Sequence, residues 1–91
     1  MSVADDIRRK LTLRFAPVRL DIADESARHA GHAGARPGGE THFAVTIVTP
    51  AFAGHSRIAR QRLVYATLAA ELAGGVHALS LTTLAPEEDR G

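Results

Sequence analysis

Val64-Tyr65-Ala66-Thr67-Leu68-Ala69-Ala70-Glu71-Leu72-Ala73-Gly74-Gly75-Val76-His77-Ala78-Leu79-Ser80-Leu81-Thr82-Thr83 changes its apolar period at the glycine pair. Before the glycines, Val64, Leu68 and Leu72 recur every fourth residue, with Leu63 and Tyr65 flanking this stripe, as on the buried face of a helix. After them, Leu79 and Leu81 fall on one side and Ala78 and Ser80 on the other, the period of a strand. Gly74-Gly75 supplies the stop between the two. Ser56 can cap the helix, so the segment after it reads as a short first turn and then one long helix, followed by a strand over Val76–Thr83. A helix that feeds a strand is the crossover a parallel strand pair requires.

Outward from this unit, Thr41–Val48 reads as a strand with Phe43, Val45 and Ile47 on one face. Val18-Arg19-Leu20-Asp21-Ile22 alternates in the same way, and the two strands with the loop between them read as an antiparallel hairpin. Pro50 and Gly54 interrupt the chain before the capped helix. At the start, Ser2 suits an N-cap and Asp5 and Asp6 suit a first helical turn, while Val3, Ile7 and Leu11 form one stripe. Pro17 disfavours helix before it, which predicts a helix over Val3–Phe15. The order helix–strand–strand–helix–strand predicts a two-layer α+β domain with helices on one face of the sheet. After Pro86 the chain turns charged and is expected to fray.

Ninety-one residues make one small domain, expected over 1–91 with its core over about 3–86. The apolar fraction of 45%, with three Phe, one Tyr and no Trp, predicts an aliphatic core. A formal net charge of +1 argues neither for nor against nucleic acid. Zero cysteine excludes a disulfide scaffold and a thiol catalyst and fits a reducing compartment. No apolar run approaches the roughly 20 residues of a membrane span. The start Met1-Ser2-Val3-Ala4-Asp5-Asp6 lacks the basic and apolar stretches of a secretory signal, so a soluble cytoplasmic protein is expected. Phosphate-loop, dinucleotide-binding and His-Glu-x-x-His motifs are missing from the sequence. Asp24, Ser26 and His29 are neighbours in sequence, which does not make a triad, and no apolar pocket is evident to raise the pKa of Asp24 or Glu25. The sequence makes no case for an enzyme.

Chemistry rests on the five histidines. His29-x-x-His32 lies in a loop from Asp24 to Glu40 that holds Gly31, Gly34, Pro37, Gly38 and Gly39. A loop this long in so small a domain is often functional. Imidazole ligates iron, zinc or copper, but an ordinary iron–sulfur cluster needs cysteine sulfur that this chain lacks. Either imidazoles do all the ligation or a partner supplies sulfur. The spacing of His29 and His32 suits two ligands on one metal, one ligand and a bystander, or two solvated side chains. His42 turns away from the core as a surface strand residue, and His55 sits at a helix entry. His77, directly after the glycines, is either a core histidine with its ring nitrogens satisfied by backbone or a ligand facing a partner's metal. Arg57, Arg60 and Arg62 have no acid between Ala51 and Ala70, so they form either a solvated face or a phosphate-binding surface.

Five segments in this order add up to a resemblance. They are Asp24-Glu25-Ser26 followed by His29 and His32, Thr41-His42-Phe43, Phe52-x-Gly54-x-Ser56, Arg60-Gln61-Arg62-Leu63-Val64-Tyr65, and Gly75-Val76-His77-Ala78-Leu79. From about Ile7 to Pro86 the chain resembles the BolA family. The resemblance implies a fold similar to class II KH domains, α-β-β-α-α-β with a three-stranded mixed sheet. It implies an iron-homeostasis adaptor that binds a monothiol glutaredoxin and shares a bridging [2Fe-2S] cluster with it and its glutathione. His77 would be one ligand and His32 or His29 the other, His32 being the first choice. Such ligation should raise the cluster's potential and make its lability pH-sensitive. No cluster is expected in the isolated protein, and the free chain would be a monomer or a weak homodimer. The resemblance also implies the alternative of a DNA-binding regulator of stress response and cell morphology, its duplex contacts made by Arg57, Arg60 and Arg62. Gln61 stands where the family commonly has histidine, and the Gly-x-x-Gly clamp of true KH domains is missing; both favour the cluster over the nucleic acid.

Overall fold

The structure, a computed structural model, describes residues 2–25 and 42–89. Helix α1 (Val3–Phe15) has the predicted bounds. The Ser2 hydroxyl accepts the Asp5 N–H at 3.1 Å and the Asp5 carboxylate accepts the Ser2 N–H at 3.4 Å, a reciprocal capping box. The helix ends at Ala16, which takes the left-handed conformation (φ 45°, ψ 56°) and donates its N–H to the Thr12 carbonyl at 3.0 Å. Pro17 prevents continuation.

Strand β1 (Arg19–Asp24) pairs antiparallel with β2 (His42–Val48), and β2 pairs parallel with β3 (Ala78–Leu84), so β2 is central. The outer strands begin later than the apolar alternation predicts. Val18 donates to the Val48 carbonyl at 2.8 Å just ahead of β1, and Asp24, expected in the loop, pairs with Phe43. Val76 is a core residue at the end of the helical crossover rather than the start of a strand, because its N–H bonds back to the Glu71 carbonyl at 3.2 Å.

Between β2 and β3 the chain makes a 3₁₀ turn (Pro50–Phe52) and then two helices, α2 (Arg57–Thr67) and α3 (Ala69–Gly74), where the periodicity predicts one. The predicted Ser56 cap is present, its hydroxyl accepting the Ala59 N–H at 3.1 Å. The break falls at Leu68 (φ −103°, ψ 19°). Just before it, the Thr67 hydroxyl donates back to the Leu63 carbonyl at 2.8 Å, a bond of the kind that bends helices. Leu68 itself stays in register, donating to Val64 and accepting from Leu72, both at 3.0 Å, so the apolar stripe runs straight across the break.

One core results. Ile7, Leu11 and Phe15 from α1, Phe43, Val45 and Ile47 from β2, Phe52, Val64, Leu68 and Val76 pack together, with the helices on one side of the sheet. Each such side chain contributes roughly 1.5–3 kcal/mol by leaving water. Phe15 and Phe52 meet with ring centroids 5.3 Å apart, a tilted aromatic contact. Among the described residues no helix is long and apolar enough to cross a membrane.

Candidate functional site

The parallel register brings the start of β2 beside the start of β3. His42 pairs with Ala78, and β1 ends at the same edge of the sheet, where the Glu25 N–H donates to the His42 carbonyl at 2.7 Å. Glu25 and His42, which flank residues 26–41 in sequence, therefore share this edge with the start of β3 and with His77 just before it.

His77 is placed by what precedes it. The Glu71 carboxylate of α3 pairs with Lys10 of α1 at 2.7 Å, which ties the crossover to the first helix. The Glu71 carbonyl accepts the N–H groups of Gly75 and Val76. Gly75 turns the chain at φ 142°, a conformation that side chains rarely adopt, and Val76 then enters the core at 6% exposure. The next residue is therefore pushed out of the core. His77 is exposed, which overturns the reading of it as a core histidine held by backbone groups.

The ring of His42 lies with its centroid 6.2 Å from that of His77, the planes tilted by 50°. Sequence reasoning left His42 as an unremarkable surface residue. The signal that could have found it was the register of a parallel pair, which puts the residue before Phe43 level with the residue after His77. His29 and His32 lie outside the described residues. Among the described residues no three His, Asp or Glu side chains gather as a metal site would require. What this end of the sheet offers is an exposed imidazole, His77, with the His42 ring beside it.

The basic cluster is divided by the fold. Arg57 and Arg62 are exposed, but Arg60 is buried at 8% exposure. Its Nε donates to the His55 carbonyl at 3.0 Å, and one Nη donates to the Thr83 carbonyl at 3.0 Å and to the Glu88 carboxylate at 2.7 Å. Arg60 is therefore not part of an exposed basic face with Arg57 and Arg62: it is buried, and its donors engage His55, the end of β3 and the turn beyond. Glu88 in turn accepts the Ala85 N–H at 2.7 Å. Arg60 first and the Ala85 N–H second hold the Glu88 carboxyl below the usual glutamate range. The next residue, Asp89, pairs with Arg19 of β1 at 2.8 Å. The hydrogen bonds Arg19 donates to Asp21 and then to Asp89 raise its pKa above the ordinary value. The predicted fraying after Pro86 is thus replaced, through Asp89, by a clasp: Pro86–Glu88 form a 3₁₀ turn whose C-terminal end is tied to Arg60 through Glu88 and to Arg19 through Asp89.

The chain as a whole is similar to known proteins. The chain is 46% identical over 86 residues to SufE-like protein 1, chloroplastic/mitochondrial, of Arabidopsis thaliana, a match that covers 90% of this chain but only 23% of that protein. It is 42% identical over 91 residues to the DNA-binding transcriptional regulator BolA of Escherichia coli (strain K12), covering 100% of this chain and 83% of the relative. Among solved structures, the BolA domain of SufE1 from Arabidopsis thaliana superposes with a TM-score of 0.87 at 44% identity, with 98% of each chain covered. The sequence profile of the BolA-like protein family matches residues 11–88, from the core residue Leu11 of α1 to the Glu88 clasp, so the chain belongs to the BolA-like protein family.

Proposed function

We propose that this chain is a BolA-type adaptor that binds a monothiol glutaredoxin and shares a bridging [2Fe-2S] cluster with it, without catalysing a reaction of its own. The supporting observation is the placement of His77, expelled from the core by Val76 and Gly75 and exposed at the sheet edge where Glu25 and His42, the residues that flank 26–41 in sequence, also lie. The donor set fits such a group. The chain has no thiolate, and its exposed imidazole is the kind of ligand that leaves the sulfur to a partner and its glutathione. His77 would be one ligand, and His32, or else His29, the second. When bound, the cluster supplies iron held between two proteins, at a potential raised by imidazole ligation. The chain's own part is to present an exposed imidazole at this end of the sheet. Acid, by protonating it, would release the group.

The test is reconstitution with a monothiol glutaredoxin and glutathione, read by visible circular dichroism. His77→Ala should lose the spectrum of the shared cluster, and His32→Ala or His29→Ala should change it, while His42→Ala serves as the neighbouring control. A spectrum indifferent to His77→Ala would overturn the ligand role.

A second reading, a DNA-binding regulator, is favoured by the exposure of Arg57 and Arg62 on α2 and by the name of the Escherichia coli relative. It predicts duplex binding that weakens steeply with salt and on Arg57→Ala with Arg62→Ala. No gel shift at low salt would remove it.

A further inference from the structure

Arg60 is the charged side chain that is buried among the described residues, and neither reading above uses it. Its surroundings form a groove of about 360 Å³ between the entry to α2 and the end of β3, lined by His55, Arg57, Arg60, Thr82 and Glu88 among others. The acid in that lining is Glu88.

The two sides of the Arg60 guanidinium are held differently. The carbonyls of His55 and Thr83 fix it from the protein side, and its positive face also lies 5.9 Å from the centre of the Phe52 ring. The edge formed by its two Nη atoms meets the carboxylate of Glu88, which lines the same groove, fork to fork at 2.7 and 3.4 Å. That edge is the one arginine uses to bind a phosphate or carboxylate through two parallel bonds. The occupant is held less firmly than its host. The Glu88 side chain is 43% exposed against 10% for Arg60, and it is borne on a three-residue turn beyond the last strand. Arg57, at the groove's rim, is exposed.

We propose that this groove is a binding site for a phosphate group and that Glu88 is its built-in plug, competing with the ligand for the outer edge of Arg60. The two backbone carbonyls keep the guanidinium in place when the plug lifts. A phosphate then takes over the two Nη bonds and gains Arg57 at the rim, which carries charge that Glu88 does not reach. Phosphate from solution and phosphate in a nucleic-acid backbone share this chemistry.

The experiment titrates the full chain with inorganic phosphate at fixed ionic strength, following the backbone amides of His55–Arg60 and the Arg60 Nε–H by NMR. Glu88→Gln removes the charge but keeps an oxygen to accept the Ala85 N–H, so the turn is retained. It should tighten phosphate binding about fivefold, the scale of a partly exposed ion pair. Arg57→Ala in the Glu88→Gln background should reverse the gain. Asp89→Asn removes the same charge from the neighbouring residue without touching Arg60 and should leave the affinity unchanged. A parallel titration with a short DNA duplex distinguishes the two sources, since a gain there as well assigns the site to a phosphodiester backbone. Equal affinities for wild type and Glu88→Gln, the same gain from Asp89→Asn, or shifts that never saturate would each overturn the proposal.

Discussion

The two ends of the sheet are built on opposite plans. At one end, where β1 starts and β2 and β3 finish, polar groups are buried and paired. Thr49, fully buried, donates its hydroxyl to the Phe15 carbonyl at 2.8 Å, its N–H bonds to Leu84 at 3.0 Å, and Arg60–Glu88 and Arg19–Asp89 clasp the terminus across all three strands. At the other end, β1 finishes and β2 and β3 start, and the imidazoles of His42 and His77 lie with their ring centroids 6.2 Å apart. One end spends its polar groups on itself and the other keeps an imidazole turned outward. The difference separates stability from chemistry along one strand direction, so substitutions at the two ends should fail in different ways.

The largest stability effect is expected from Phe52→Ala at the paired end. Phe52 is fully buried against Phe15, and its loss leaves an aromatic-sized cavity beneath the Arg60 clasp. The expected loss is about 3–5 kcal/mol, a large share of what a domain of this size possesses. Urea denaturation measures it. A loss under about 1 kcal/mol would show that the paired end is not where the fold is anchored.

A smaller effect follows from Glu88. Its folded pKa is depressed, by Arg60 first, so the stability it contributes is present above the ordinary glutamate value of 4.5 and disappears as pH falls through the lower native value. Wild type should therefore lose stability on acidification across that window more steeply than Glu88→Gln, with the two curves converging once Glu88 is protonated. Thermal melts at a series of pH values below 5 test this. Parallel curves would mean that the carboxylate contributes nothing through its charge.

How much of this was legible in sequence divides along the same line. Local signals carried the elements: the Ser2 N-cap, the Val3–Ile7–Leu11 stripe and Pro17 bound α1, and alternation found each described strand within two residues. The break at Leu68 was invisible because its cause is a hydroxyl turned back on Leu63, while the apolar period passes through unchanged. Arg60 was misread for a deeper reason. A charged residue in a basic run reads as surface, and its burial rests on partners the local pattern does not show, the Thr83 carbonyl and the Glu88 carboxylate 23 and 28 positions away. His77 was found from its glycines, but its exposure came from Val76 taking the core position first. His42 was missed because strand alternation says which face a residue takes and not which residue of a parallel neighbour stands level with it.

The smallest stability effect is expected where the functional effect is largest. His77 is exposed and follows a residue that makes the core contact on its behalf, so His77→Ala should change the unfolding free energy by no more than about 0.5 kcal/mol. A purely structural histidine would behave differently: its removal would lower the melting temperature and leave glutaredoxin binding intact. The two outcomes separate cleanly when the melting temperature and the cluster spectrum are measured on one preparation. An unchanged melt with a lost spectrum places His77 in the chemistry of the open end. A lowered melt with an unchanged spectrum would make both ends of the sheet structural and remove the contrast between them.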